Sequence, residues 1–386
     1  MVFYNYQFRM KDSKAKKQLK LLSSKINSVW NYNNNVNIKC LKKYQSGEKA
    51  SAFRSEYDFN NLHVGTSKFL KLHSDTVQEI SKAFVTARNN TKKKFKLKFR
   101  SFKRNLGWIP FKGRSIQINN DKITFLKQDY RFWKSRDLPS DAVIKTGSFN
   151  ENSKGNWFVN LIFTSVSLDK KNQHHQNPSE IIGIDLGIKP VITLSNGNSE
   201  FIQNYSKLYK NKLAMAQRAK KKKLVKSINL KIQNSRKDDL HKLTTKLAKA
   251  YGNIAVGNVS SQKIVDLNLS KSMNSAVYNS GWYMIKSFLK YKAIKLGGIY
   301  EEVNEAYSTQ TCNVCGTRPG PKGQSGLKTR SWICSSCHAS HDRDVNAAQN
   351  IAKKFLEDKD LAVIANDNIY PIIRISLLER LIPIQI

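Results

Sequence analysis

Two hydrophobic periods alternate along this chain. Val2–Met10 alternates apolar and polar residues, which predicts a first strand. From Lys11 to Tyr44 the apolar residues fall at helical spacing, through Leu19, Leu22, Ile26 and Trp30. A loop rich in Gly, Ser and Asn follows, then a second helical stretch from about Thr66 to Thr91. Period two then returns. Phe95, Leu97 and Phe99 alternate with Lys94, Lys96, Lys98 and Arg100, which predicts a strand with aromatics on one face and cations on the other. Further short strands are expected at 116–118, 122–125, 142–145 and 157–163. Residues 1–10 and 92–165 therefore read as a β-barrel-like domain, interrupted by a helical insertion over 11–91. Residues 166–179 are polar and read as a linker.

The second half changes plan. An apolar strand over 180–186 reaches a tight turn at Gly187 and a second strand. Residues 205–250 form a long basic helical region. Strands at 254–256 and 299–303 flank a helix predicted over Met273–Leu296, and another helix is expected over Val345–Leu356. Strands alternating with helices predict an α/β domain with a mixed sheet. Tyr370–Ile386 is apolar but is cut by Pro371, Arg374, Glu379, Arg380 and Pro383, so no membrane span is predicted there. Residues 357–386 receive no role.

Charge narrows the function. Over 386 residues, Lys and Arg number 67 against 28 Asp and Glu, a formal charge of +39. Such an excess repels itself unless a polyanion neutralises it, and nucleic acid is the polyanion that fits a long contact. A membrane surface would need a basic amphipathic helix or a lipidation signal. Met1–Gln7 lacks a basic run followed by an apolar one, so no signal peptide is expected.

The chemistry concentrates near the end. Cys312/Cys315 and Cys334/Cys337 are two Cys-x-x-Cys pairs with eighteen residues between them, a zinc-binding spacing. Four thiolates make a closed structural Zn²⁺ site. Cys40 is lone and reads as a small buried side chain. Asp342 and Asp344 follow, oxygen ligands that suit a hard cation such as Mg²⁺, although either is also a good helix cap. Asp185 sits between Ile184 and Leu186, where a carboxylate needs a cation or hydrogen bonds. It also fits a plain hairpin turn. Lys220, Lys221, Lys222 and Lys223 form a basic run that suits either phosphate contact or a solvated helix face.

Four motifs together resemble the TnpB family, RNA-guided DNA endonucleases of insertion sequences related to the type V CRISPR effectors. They are Gly183-Ile-Asp-Leu-Gly-Ile-Lys189, Arg236-Lys-Asp-Asp-Leu-His-Lys242, Tyr307-Ser-Thr-Gln-Thr-Cys-Asn-Val-Cys-Gly316 and Asp342-Arg-Asp-Val-Asn-Ala-Ala348. The resemblance is close over 180–355 and holds only in plan before that. It implies an α/β RNase-H-like (RuvC) nuclease domain over 180–305 and 341–356, with a zinc ribbon inserted at 306–340. The preceding β-barrel-like domain becomes a wedge domain and its insertion a helical recognition element. The implied partners are a structured guide RNA and target double-stranded DNA, with no membrane, in a prokaryotic, nucleoid-associated cytoplasmic setting. Oligomeric state is left open. Lys94, Lys96, Lys98, Arg100 and Lys220–Lys223 become contacts to nucleic-acid backbone, which position a strand without reading its sequence.

One departure matters. The family's second RuvC motif places a glutamate after a buried strand, and here that strand ends on Gly257. In an RNase-H-like sheet the strands carrying Asp185, Ile254 and Ile299 would run parallel and end on one edge. Glu305 lies just past the third of these, within side-chain reach of its neighbour. The expected site is then Asp185, Glu305 and Asp344, binding two Mg²⁺ ions for phosphodiester hydrolysis. Glu301 is the second candidate. The remaining alternatives are a nuclease-dead RNA-guided repressor and a structure-specific nuclease without a guide.

Overall fold

The computed structural model describes residues 3–11, 13–47, 54–91, 97–101, 105–167, 177–266, 270–322 and 325–365. Lys94, Lys96, most of the expected linker and the Tyr370–Ile386 tail lie outside them. Contacts divide the chain into two compact units, one drawn from residues 1–171 and 212–230, the other from 172–211 and 231–386. Among the described residues no helix is long and apolar enough to cross a membrane.

The first unit contains β1 (Tyr4–Arg9), β2 (Trp108–Lys112), β3 (Ile116–Asn119), β4 (Lys122–Phe125), β5 (Gln128–Arg131), β6 (Val143–Glu151) and β7 (Trp157–Thr164). An antiparallel sheet runs in the order β1-β7-β6-β2, and β3-β4-β5 forms a second. Inward positions alternate along β7, so Trp157, Val159, Leu161 and Phe163 are all buried. With Phe8, Phe111, Phe125, Phe132 and Phe149 they build an aromatic core. Each such side chain stabilises the fold by roughly 1.5–3 kcal/mol. The helices are α1 (Ser13–Gln45), α2 (Glu56–Leu62), α3 (Thr66–Leu70) and α4 (Ser74–Asn89). Leu19, Ile26 and Val29 of α1 join the same core, as does Ile80 of α4.

In the first unit, two of the described strands escaped the sequence reading. β2 carries Pro110, which demotes a strand, but β2 is a sheet edge and tolerates it. β5 is short and polar, and only Tyr130 points inward. A correction runs the other way. Residues 97–101 form no strand, and Lys98 and Phe99 are both exposed rather than on opposite faces. The backbone there is satisfied by α1 side chains instead of a ladder. Asn34 Nδ2 donates to Leu97 O, and Asn31 exchanges two bonds with the Arg100 backbone.

The second unit contains β8 (Asn177–Leu186), β9 (Ile192–Leu194), β10 (Ser199–Glu200), β11 (Tyr251–Gly257) and β12 (Ile299–Val303), in the order β10-β9-β8-β11-β12. β8, β11 and β12 are mutually parallel neighbours, and β9 and β10 are antiparallel. The basic helical region divides into α5 (Tyr205–Leu208), α6 (Lys210–Arg218) and α7 (Lys222–Ala250), of which residues 212–230 belong to the first unit, with Lys220 left-handed at the corner. A short α8 (Ser261–Val265) follows. The single helix expected over Met273–Leu296 is two, α9 (Lys271–Ser280) and α10 (Trp282–Lys295). Gly281, at φ 72°, ends one and starts the other, a conformation glycine adopts without strain. A small pair, β13 (Ser331–Ile333) and β14 (Ser340–Asp342), precedes α11 (Arg343–Ala365).

Each face of the parallel strands has its own cover. Ile182, Ile184, Ile254 and Val256 pack against α7 and α10 through Leu240, Leu243, Leu247, Ile285 and Leu289. Ala255 and Val303 face α11 through Ile351 and Phe355. Gly183 permits that docking, because a Cβ there would lie 2.0 Å from Ala348 O.

Candidate active site and metal centre

Strand register brings the acidic residues together. β11 pairs with β8 through Ala255–Gly183 and Val256–Ile184, so Gly257 falls level with Asp185 one step on. Gly257 in turn pairs with Val303, and Glu305 lies two residues further. Asp185 shares the α11 side of the sheet with Gly183, by the two-residue period of a strand. Asp344 stands in the first turn of α11. The end of one parallel strand, the exit of another and one helix start thus supply the acids, and the strand between them ends on Gly257.

Glu305 occupies the space that glycine vacates. A Cβ on Gly257 would lie 2.5 Å from Glu305 Oε2, 3.4 Å from Glu305 Cβ and 3.2 Å from Ile351 Cδ1. A side chain at 257 and this placement of Glu305 are mutually exclusive. Two lysines secure the arrangement. Lys354 Nζ on α11 donates to Asn304 O and Ala306 O, at 2.9 and 2.8 Å, the carbonyls on either side of Glu305. Lys286 Nζ on α10 donates to Val259 O and to Glu302 Oε2. Burial raises the Glu305 pKa, opposed by the Val259 N–H and by the charges of Lys286 and Lys354. Glu301, by contrast, lies mid-strand opposite Ala255.

The charges interact. Burial first, then the negative charges of Asp344 and Glu305, push Asp185 up to about 7, against the pull of Arg343. A carboxyl so perturbed beside two others makes this cluster a candidate functional site. Asp344 Oδ2 accepts from Arg330 at 2.5 Å and its Oδ1 from Arg343 at 3.0 Å. Asp342 has the capping role: its Oδ1 accepts from the backbone N–H groups of Asp344 and Val345. Trp282 Nε1 donates to Gly187 O, holding the turn after Asp185.

The four cysteines form a different kind of site. Their sulfurs all lie within 4.8 Å of one another, the only such metal-ligating group among the described residues. Cys312–Cys337 and Cys315–Cys334 Sγ separations are each 3.6 Å. Tetrahedral Zn²⁺ with bonds of about 2.3 Å places sulfurs about 3.8 Å apart, so the cage fits zinc. His341 Nε2 lies 3.1 Å from Cys312 Sγ, placed to donate to the sulfur. Asn346 and Asn350, one turn apart on α11, both donate to Ser308 O and Thr311 O. Those bonds tie the cysteine module to the helix that bears Asp344.

The basic residues fare unequally. Lys220–Lys223 are all exposed at the corner between α6 and α7, so the run caps a turn rather than lining one helix face. Lys98 is exposed. Arg100 is half-buried: its Nε donates to Asn27 Oδ1, and the guanidinium lies over the Trp30 and Trp108 rings at 5.6 and 5.7 Å. Sequence reasoning did not find Arg330, Arg343, Lys286, Lys354, Asn346 or Asn350. The i, i+4 asparagines on a predicted helix were a usable signal, whereas lysines serving backbone carbonyls carry none.

Comparison with known proteins agrees with this architecture. Residues 164–268 match the IS605 OrfB family, described as a probable transposase, and residues 282–351 match the Cas12f1-like TNB domain. A Streptomyces pristinaespiralis protein provisionally described as an RNA-guided DNA endonuclease is 27% identical over 271 residues, 66% of this chain and 64% of that one. InsQ of Escherichia coli K12, with the same provisional description, is 26% identical over 265 residues, 62% of this chain and 63% of its own. The chain thus spans just under two thirds of the length of these curated relatives. Further matches in mimivirus and Methanocaldococcus jannaschii are described as TnpB-like. Cas12f1, solved by cryo-EM in a complex with sgRNA and target DNA, shares the fold at a TM-score of 0.55 and 15% identity, over 88% of this chain and 83% of that one. In its two domain matches and these relatives, the chain is similar to the TnpB-like proteins.

Proposed function

We propose that this protein is an RNA-guided DNA endonuclease with a RuvC-type, RNase-H-like active site at Asp185, Glu305 and Asp344. The carrying observation is the Glu305 carboxylate lodged over Gly257, on the side of the sheet that bears Asp185. It supports a complete acidic site built with a relocated glutamate. Three carboxylates from separate elements would hold two Mg²⁺ ions, and acid oxygens suit that hard cation. When bound, such ions supply an activated water and stabilise the leaving oxygen of an in-line displacement. Asp185, whose pKa the other two carboxylates raise, would be one of the ligands. Glu305, fastened through its flanking carbonyls, keeps a fixed position as the ligand set fills. Arg330 and Arg343 would hold Asp344 in place and offer positive charge to an arriving phosphate.

The relatives described as RNA-guided endonucleases and the sgRNA-bound Cas12f1 support a guide RNA and target DNA as partners. A charge of +39 is consistent with holding both. In this reading the first unit is the wedge with its helical recognition insertion over 11–91, and the cysteine module at 306–340 is a structural zinc ribbon. Lys94, Lys96, Lys98, Arg100 and Lys220–Lys223 are candidate backbone contacts, with Arg100 acting mainly through packing. The setting would be a prokaryotic cytoplasm, at the nucleoid.

The test is to purify the protein, sequence the RNA that copurifies, and assay guided cleavage with Mg²⁺. Cutting by wild type and none by Glu305→Ala is expected, with guided DNA binding retained by both. Guided binding without cleavage by wild type would mean a repressor. Nucleic-acid-free protein that cuts structured DNA would mean a guide-independent nuclease.

A further inference from the structure

The segment that joins the carboxylate cluster to the cysteine cage is gripped along its length by one face of α11. Lys354 takes the carbonyls of Asn304 and Ala306. Asn346 and Asn350, 1% and 6% exposed, both donate to Ser308 O and Thr311 O. Asn346 Oδ1 accepts from Asn313 N at 3.0 Å, Gln349 accepts from the Asn313 amide, and Lys353 donates to Asn313 O. Positions 346, 349, 350, 353 and 354 follow helical spacing, so a single stripe of α11 holds residues 304–313.

The gripped backbone is not relaxed. Tyr307 is left-handed, at φ 64°, a conformation that costs a bulky residue energy and persists only where the surroundings enforce it. Arg318 lies over its ring at 4.5 Å, and its carbonyl accepts from both Gln310 N and Thr311 N. Ser308 N donates to Glu305 O, so a tight turn leads from Glu305 towards Cys312. The return path is as short. Ser331–Ile333 pairs with Ser340–Asp342, and Arg343 N donates to Arg330 O, which leads the second cysteine pair directly into α11. Cys312 follows Glu305 by seven positions, and Cys337 precedes Asp344 by seven. Zinc on the four cysteines therefore closes a short circuit between two carboxylates that stand 39 positions apart in the chain. Shortening the loop between two groups lowers the entropy lost in bringing them together.

We propose that the cysteine cage sets the affinity of the carboxylate site. Zinc and the Asn346–Asn350 pair fix the spacing of Glu305 from Asp344, and with it the binding of a hard divalent cation. The inference rests on Asp185, Glu305 and Asp344 being one metal site. Asn346 and Asn350 are positioning residues for it, acting through the backbone of residues 308–311. Linkage makes the coupling reciprocal: if zinc tightens cation binding, the cation tightens zinc binding by the same factor.

Manganese binding to the full-length protein tests it without any cleavage. Mn²⁺ takes the oxygen ligands that suit Mg²⁺, and the electron paramagnetic resonance signal of free Mn²⁺ reports how much is bound. Wild type is expected to bind Mn²⁺ at a site that Asp185→Ala abolishes. Asn346→Leu combined with Asn350→Leu should retain zinc and weaken that binding about tenfold, as loss of outer support does at metal sites. Asn350→Leu alone serves if the double variant misfolds. Stripping zinc with a zinc-selective chelator should weaken Mn²⁺ binding at least as much, and zinc added back should restore it. Zinc affinity, measured by competition with the same chelator, should rise with Mn²⁺ by the same factor in wild type and stay constant in Asp185→Ala. Asparagines with a merely structural role would not produce that reciprocity. Mn²⁺ affinity unchanged in zinc-free protein, or in a folded asparagine variant, would overturn the coupling and leave the carboxylate site standing. Wild type without Asp185-dependent binding would overturn the site, and the coupling with it.

Discussion

The cysteine cage and the carboxylate cluster sit in the same unit and are built on opposite principles. The cage draws its four ligands from two short local motifs, and its sulfurs are already within 4.8 Å of one another. The carboxylates come from β8, the exit of β12 and the start of α11, and that tight grouping does not extend to them. Local turns hold four soft ligands in a closed set, as a structural site needs. The carboxylates are instead engaged by arginines and a lysine. Asp344 is engaged by Arg330 and Arg343, and Glu305 is bracketed by Lys354. Removing metal should therefore unfold the one and merely loosen the other.

The largest effect expected from this contrast is on folding. Cys315→Ser or Cys337→Ser should release zinc and destabilise the module by several kcal/mol, within the roughly 10–16 kcal/mol that structural zinc contributes in small fingers. Metal analysis beside a thermal melt checks this, and well-folded protein without zinc would erase the distinction. Next comes catalysis. Glu305→Ala, Asp185→Ala and Asp344→Ala should each cut guided cleavage by about a thousandfold, matching the several kcal/mol that bound metal supplies. Their melting temperatures should stay close to wild type. If Glu305→Ala cleaves normally, Glu301 becomes the third ligand.

A smaller effect tests relocation directly. Gly257→Glu should crowd Glu305 Oε2 and cost about 1–3 kcal/mol of stability, as overpacking does. Combined with Glu305→Ala, the same substitution should recover cleavage above that of Glu305→Ala alone. No recovery would show that position 257 cannot reach the metals. The mildest change is Lys354→Met, which frees the carbonyls of Asn304 and Ala306. It should raise the Mg²⁺ concentration for half-maximal cleavage about tenfold, the effect of losing an outer support of a metal ligand. A Mg²⁺-dependent melting shift measured in parallel separates weaker binding from slower chemistry.

Much of the second unit was legible in the chain. Asp185 stood out because a carboxylate amid Ile184 and Leu186 demands a partner, and the parallel strands followed from their apolar runs. Glu305 was legible only as a candidate, from the glycine at 257 and an acid past a neighbouring strand. The Lys94–Arg100 stripe misled. Its two-residue period reflects charge alternation, whereas the described part of it, residues 97–101, is paired by Asn31 and Asn34 of α1. The break at Gly281 was invisible because apolar residues continue at helical spacing on both sides of it.

By itself the sequence determined the ligand types, the closed zinc spacing, the excess of positive charge and the succession of the three parallel strands in the second unit. These are properties of short segments or of the sum over residues, and need no knowledge of distant contacts. Tertiary structure alone decided that Glu305 lies over Gly257, that Lys354 brackets it, and that Asn346 and Asn350 tether the cysteine module to the Asp344 helix. Each of those depends on strand register and on how closely α11 docks at Gly183. Register and docking are set by burial of whole faces, which no single motif records.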